Sequence, residues 1–223
     1  LIENAIGSTA AANTVNINNN TLTGDYLTAT TGAFYGIYSS ASAATVNINN
    51  NTLTNFVYSG AALTGSGVVY PIYNSGAATI VNANGNTVSN ITRTGTTGST
   101  TIGIYLSSGT TQTVNNNTVS NMSIDGAGTG STMYGIQVAG TTVTVNGNLV
   151  HTLTCIKTTG TGALYGIYDI SSPTNENYNN NVVRDLTHNG TGIIYGIYTF
   201  TTSGTRTVSG NQIYNLTGAG TTI

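Results

Sequence analysis

The chain has 223 residues, enough for one or two domains, yet only 4 % are charged, against about a quarter in a typical soluble domain. Four Lys and Arg residues and a formal net charge of −2 are too few to neutralise a nucleic-acid backbone, and they steer no charged partner. A single cysteine, Cys155, excludes a disulfide framework and a CxxC metal pattern, and no run of about 18 apolar residues is present to cross a membrane.

Hydrophobic content is 38 %, with 29 glycines and no tryptophan; Thr, Asn, Gly and Ser make up the difference. A surface of neutral amides and hydroxyls points to an extracellular or cell-surface setting rather than a cytosolic enzyme. The chain opens at Leu1 with no charged-then-apolar leader, so the expectation is a segment of a longer precursor.

The elements repeat in chain order. The first unit carries Asn4-Ala5-Ile6, then Thr14-Val15-Asn16-Ile17, then an Asn-rich run ending at Asn20 and the strand-like Thr21-Leu22-Thr23. The closing Asn of that run returns as Asn51, Asn86, Asn117, Asn148, Asn181 and Asn211, at steps of 31, 35, 31, 31, 33 and 30 residues. In phase with it runs Tyr35-Gly36-Ile37-Tyr38, repeated as Tyr70-Pro71-Ile72-Tyr73, Ile102-Gly103-Ile104-Tyr105, Tyr134-Gly135-Ile136-Gln137, Tyr165-Gly166-Ile167-Tyr168 and Tyr195-Gly196-Ile197-Tyr198. Length varies in the Gly/Ser/Thr-rich segments 59–68, 93–101 and 125–132, which read as loops.

Alternation within each unit has strand period, and Val, Ile, Thr and Tyr dominate it. Three short strands per unit of 30–35 residues describe one turn of a parallel β-helix. The expected fold is all-β: a single-stranded β-solenoid of seven coils, with units at about 1–33, 34–67, 68–100, 101–132, 133–163, 164–193 and 194–223. Stacked at about 4.8 Å, seven coils give a core roughly 30 Å long.

Stacking turns each alignment position into a column. Leu22, Leu53, Val88, Val119, Val150, Val183 and Ile213 form one; Ile17, Ile48, Ala83, Val114, Val145, Tyr178 and Val208 form another; Ile6, Ile37, Ile72, Ile104, Ile136, Ile167 and Ile197 form the third. Together they make a continuous core, each aliphatic contributing about 1.5–3 kcal/mol on burial. Asn20, Asn51, Asn86, Asn117, Asn148, Asn181 and Asn211 sit at a corner, where stacked amides can bond along the column. The residue before each is Asn or Gly, as a positive φ requires.

The Asn-Asn-x-Val-x-Asn-Leu run followed by Tyr-Gly-Ile-Tyr resembles the parallel β-helix repeats of the pectin-lyase-like superfamily. It looks most like the repetitive segments of large bacterial secreted and surface proteins. The resemblance, with the crossover rule, implies a right-handed coil. Family lyases use clustered acidic residues for calcium and a basic residue for proton abstraction, and no position here matches such a cluster. The chain consists of whole repeats without caps, so further coils of the same chain, or end-to-end or lateral copies, are the expected partners.

Candidate chemistry is sparse. No two of Glu3, Asp25, Asp125, Asp169, Glu176 and Asp185 fall in one column of neighbouring coils, whereas a glycosidase needs two carboxylates about 5–10 Å apart. Glu176 and Arg206 stack, reading as a ladder ion pair. His151, Arg184 and Tyr214 share a column beside Asp185, and His188 aligns with Cys155; this is either an acid–base group or a solvated face. If Ile37 points inward, Tyr38, Tyr73, Tyr105, Gln137, Tyr168 and Tyr198 point outward beside exposed Gly and Pro backbone. That column can stack sugars or simply brace the sheet. A Thr-x-Thr array suits ice, but Thr21/Thr23 and Thr52/Thr54 decay to Leu149/His151 and Val182/Arg184, and the irregularity argues against it.

The expected function is therefore a non-catalytic surface fibre, stalk or adhesin spacer of a bacterium, with no cofactor, no metal and no nucleic acid. The alternative is a glycan-binding or polysaccharide-processing β-helix that uses the tyrosine face and variable loops.

Overall fold

In a computed structural model, the described residues are 1–5, 13–27, 31–60, 67–95, 98–126, 130–157, 159, 161–200 and 204–220. They form a parallel β-solenoid of three seven-stranded sheets and no helix, so no helix is long and apolar enough to cross a membrane. The first sheet contains Ile2–Asn4, Phe34–Ser39, Val69–Asn74, Thr100–Leu106, Thr132–Val138, Leu164–Asp169 and Ile194–Tyr198. The second contains Thr14–Asn16, Thr45–Asn47, Ile80–Asn82, Thr111–Asn115, Thr142–Asn146, Asn175–Asn179 and Thr205–Ser209. The third contains Thr21–Leu22, Thr52–Tyr58, Thr87–Gly95, Thr118–Gly126, Leu149–Cys155, Val182–His188 and Gln212–Gly218. Each strand pairs only with its counterparts in the coils before and after.

The register aligns Leu53 with Val88, Val88 with Val119, Val119 with Val150 and Val150 with Val183, and all five are fully buried. Ile37, Ile72, Ile104, Ile136 and Ile167 do the same in the first sheet. In the first coil the expected register is wrong: Ile2, not Ile6, pairs with Ile37, so Asn4 lies under Ser39. Ile6 itself lies outside the described residues.

Two expected loops start later than their composition suggests. Residues 93–95 and 125–126 still belong to strands, with Asp125 opposite Thr94 and Gly126 opposite Gly95. Backbone pairing with the next coil overrides the weak strand preference of glycine there.

Most of the left-handed positions form two columns. Asn19, Asn50, Gly85, Asn116, Gly147, Asn180 and Gly210 have φ between 55° and 65° and turn the corner ahead of the third sheet. A second column, Asn55, Asn90, Asn121, Thr152, Asp185 and Asn215, lies inside the third-sheet strands at φ 51° to 59°. A left-handed residue within a strand adds half a step to the alternation, in the manner of a bulge. Leu53 and Phe56, three apart, therefore both face the core, as do Val88 and Ile91.

Candidate functional site

The best-ordered polar feature is the asparagine column at the corner. Asn51 donates its backbone N–H and its Nδ2 to Oδ1 of Asn86, at 2.9 and 3.0 Å, and its Nδ2 also reaches the carbonyl of Ile17 at 2.8 Å. The pattern runs unbroken from Asn20 through Asn86, Asn117, Asn148 and Asn181 to Asn211. Asn51, Asn86, Asn117, Asn148 and Asn181 are at most 1 % exposed. Their amides satisfy backbone groups that a corner would otherwise leave unpaired in the interior.

Ten of the fourteen tyrosines lie on the outer face of the first sheet. Tyr38, Tyr73 and Tyr105 stack at centroid distances of 5.3 and 5.0 Å, and Tyr168 meets Tyr198 at 5.2 Å. A second outward column, unseen in the sequence, runs beside them: Tyr35, Tyr70, Tyr134, Tyr165 and Tyr195. Tyr35 lies 5.1 Å from Tyr38, and Tyr165 lies 4.5 Å from Tyr168. Simple alternation would put residues three apart on opposite faces. They share a face because the intervening glycine and isoleucine are both buried.

That overturns the expectation of exposed backbone. Gly36, Pro71, Gly103, Gly135, Gly166 and Gly196 are all buried. A Cβ on Gly135 would stand 2.5 Å from Val150 Cγ1 and 2.6 Å from the Gly166 carbonyl oxygen. Glycine lets the first sheet close onto the third. Burial, reinforced by neighbouring phenols, pushes Tyr70 and Tyr165 up to about 12, so neither carries a phenolate charge at neutral pH. Ile102 and Gln137 divide the ten rings into two groups of five.

Two groups of charged residues bear on possible chemistry. Glu176 faces the interior, 2 % exposed, and accepts from Arg206 Nε at 2.9 Å. The expected ladder ion pair is half-buried, because position 176 belongs to the inward column of Val46, Val81, Gln112 and Val143. Nearby, fully buried Asp169 accepts from Tyr178 Oη at 2.6 Å and from Ser171 N and Oγ. Burial raises the Asp169 carboxyl, the Ser171 and Tyr178 hydrogen bonds oppose it, and Glu176 adds to the rise. Glu176 thus bears on Asp169 within one coil and across a corner. Neither the column nor the neighbouring-coil spacing of the sequence brings these two together. Both are enclosed, which leaves a substrate no approach.

On the outer face of the third sheet, Arg184 pairs with His151 on one side and Tyr214 on the other, as the spacing implies. Arg184 contacts Asp185, which also accepts from Asn215 Nδ2 at 2.9 Å. Partial burial first, and Arg184 second, hold the His151 imidazole below its usual range, while Asp185 opposes them. His188 pairs with Cys155, and both are buried. Burial pushes the Cys155 thiol up to about 12, so it is no nucleophile at neutral pH. Among the described residues no three His, Cys, Asp or Glu side chains are placed to hold a metal ion.

The outer face of the second sheet is a lattice. Its first column is Thr14, Thr45, Ile80, Thr111, Thr142, Asn175 and Thr205; its second is Asn16, Asn47, Asn82, Thr113, Thr144, Asn177 and Thr207. A third follows with Asn18, Asn49, Asn84, Asn115, Asn146, Asn179 and Ser209, in which each backbone N–H from Asn49 onward donates to the side-chain Oδ1 one coil earlier. A shallow cleft of about 290 Å³ opens at the neighbouring corner, lined by Ser107, Ser108, Thr110 and Thr141 with alanine and glycine.

Comparison with protein-family models finds no match, and neither curated proteins nor solved structures yield a significant one. The fold and its side chains therefore carry the functional reading.

Proposed function

We propose that the chain is a load-bearing rod segment of a bacterial surface fibre, stalk or adhesin spacer, without catalysis. The observation that carries this reading is the unbroken amide column from Asn20 to Asn211, which couples every coil to the next beside three continuous backbone ladders. Two features support the extracellular setting: a surface nearly without charge, and the resemblance to pectin-lyase-like repeats of secreted bacterial proteins. Further coils or copies of the chain are the partners such a rod needs.

Stretching single molecules between their termini tests the rod. A solenoid that yields coil by coil releases contour in steps of about 100 Å, the extended length of one repeat. Smooth extension at low force would refute a load-bearing role.

A second reading rests on the ten-ring tyrosine face, whose width and neutrality suit stacking of a glycan. A glycan-binding screen with Tyr73→Ala and Tyr105→Ala tests it. No binding by the parent protein, or unchanged binding by the variants, would reject it.

A further inference from the structure

We propose that the outer face of the second sheet binds ice. This goes beyond the rod reading and does not depend on it. The face repeats in two directions: about 4.8 Å from coil to coil and about 6.6 Å between alternate residues along a strand. Its positions are Thr, Asn or Ser in all three columns, with Ile80 the exception, and none is ionisable. Glu176 and Arg206, which interrupt the strand sequence, belong to the inward column.

The groups on this face are held in place. Asn47 Nδ2 donates to Asn16 Oδ1, and Asn82 Nδ2 donates to Asn47 Oδ1, both at 2.8 Å. In the third column the side-chain oxygen is occupied by a backbone N–H, and only the oxygen of an amide can accept. The Nδ2 groups of Asn49, Asn84 and Asn115 are thereby aimed away from that bond and donate to no protein atom among the described residues. The threonines between them have β-branched side chains with few rotamers. A ladder of this kind also resists the twist that would curve the lattice.

The ligand must match those features. A neutral face without cations selects no phosphate or acidic polymer. The rings that would stack a sugar lie on the first sheet. What remains is a solid that repeats in two dimensions and exchanges hydrogen bonds at every repeat, which is crystalline water. Water held by pre-positioned hydroxyls and amides has already lost the entropy that a mobile surface would have to remove on binding. The Thr21/Thr23 column lies on the third sheet and ends in His151 and Arg184, whereas the second-sheet lattice keeps its neutral groups through Thr205 and Thr207.

The test is partition of the chain into slowly growing polycrystalline ice, with the freezing–melting gap of a single ice crystal measured beside it. The wild-type chain is expected to enter the ice and open a gap. Thr113→Lys combined with Thr144→Lys, and separately the neutral but bulky Thr142→Tyr, are expected to abolish both effects. These side chains point outward, so a preserved unfolding midpoint confirms that the coil is intact. Tyr73→Ala, on the first sheet, is expected to keep both effects. Exclusion of the wild-type chain from ice overturns the proposal, including the case in which it binds crystalline cellulose or chitin instead. Ice binding that survives the threonine variants overturns the assignment to this face.

Discussion

At the scale of the residue, the chain places short polar side chains where the backbone cannot satisfy itself. Asparagine serves twice, through its tolerance of positive φ and through an amide that both donates and accepts. Thr152 departs from this rule. It is the one β-branched residue in a left-handed column otherwise made of Asn and Asp, at φ 55°. Thr152→Asn is expected to stabilise the protein by about 1 kcal/mol in denaturant unfolding, by relieving that strain. It gives up only an exposed contact with His151. Asp169 supplies a pH signature. Its folded-state carboxyl is raised, so its contribution to stability is fully present below the unfolded carboxyl range and is lost as pH rises through the folded value. Melting temperatures of wild type and Asp169→Asn, compared from neutral pH downward, should show the wild type gaining on the variant as the solution is acidified.

At the scale of the element, the two tyrosines of a Tyr-Gly-Ile-Tyr strand in the first sheet share one face because two consecutive residues turn inward. The glycine of Tyr-Gly-Ile-Tyr makes this possible by letting the strand rest on Val150 or its equivalent. Gly135→Ala would force a methyl group into Val150 and the Gly166 carbonyl, with cost of about 2 kcal/mol in equilibrium unfolding. A larger share of that cost should fall on neighbouring coils than on the tyrosine face. The bulge in the third sheet works in the same way, with a left-handed residue in place of glycine. Its signal was present in the sequence as Asn55, Asn90, Asn121 and Asn215, each four residues after the corner asparagine. Reading strands by strict alternation hides it.

At the scale of the whole molecule, stability is a sum over neighbouring coils, so position along the rod matters. Asn117→Ala removes the acceptor of Asn86 N and Nδ2 and the donor to the Ala83 carbonyl in the coil before, and a donor to Asn148 Oδ1 in the coil after. The expected loss is about 3 kcal/mol. Among the described residues Asn211, partly exposed, bonds to one flanking coil only, so Asn211→Ala in this chain should cost distinctly less in the same unfolding measurement. Equal losses would show that the coils do not act as coupled neighbours.

The repeat, the parallel solenoid, the aliphatic columns and the corner positions needing positive φ were legible in the sequence. Each follows from a local preference multiplied by seven: strand period, aliphatic spacing, and Asn or Gly where the backbone is left-handed. The register of the first coil was not legible, since Ile2 and Ile6 are equivalent to a pattern and only pairing with Ile37 separates them. Nor was the inward turn of Glu176, the meeting of Asp169 with Tyr178, or the second tyrosine column. These depend on bulges and corners, where alternation breaks and a side chain's direction is set by contact with other strands. The neutral lattice of the second sheet belongs to both. Its residues stand in plain order in the sequence, but only coil stacking brings them into one face.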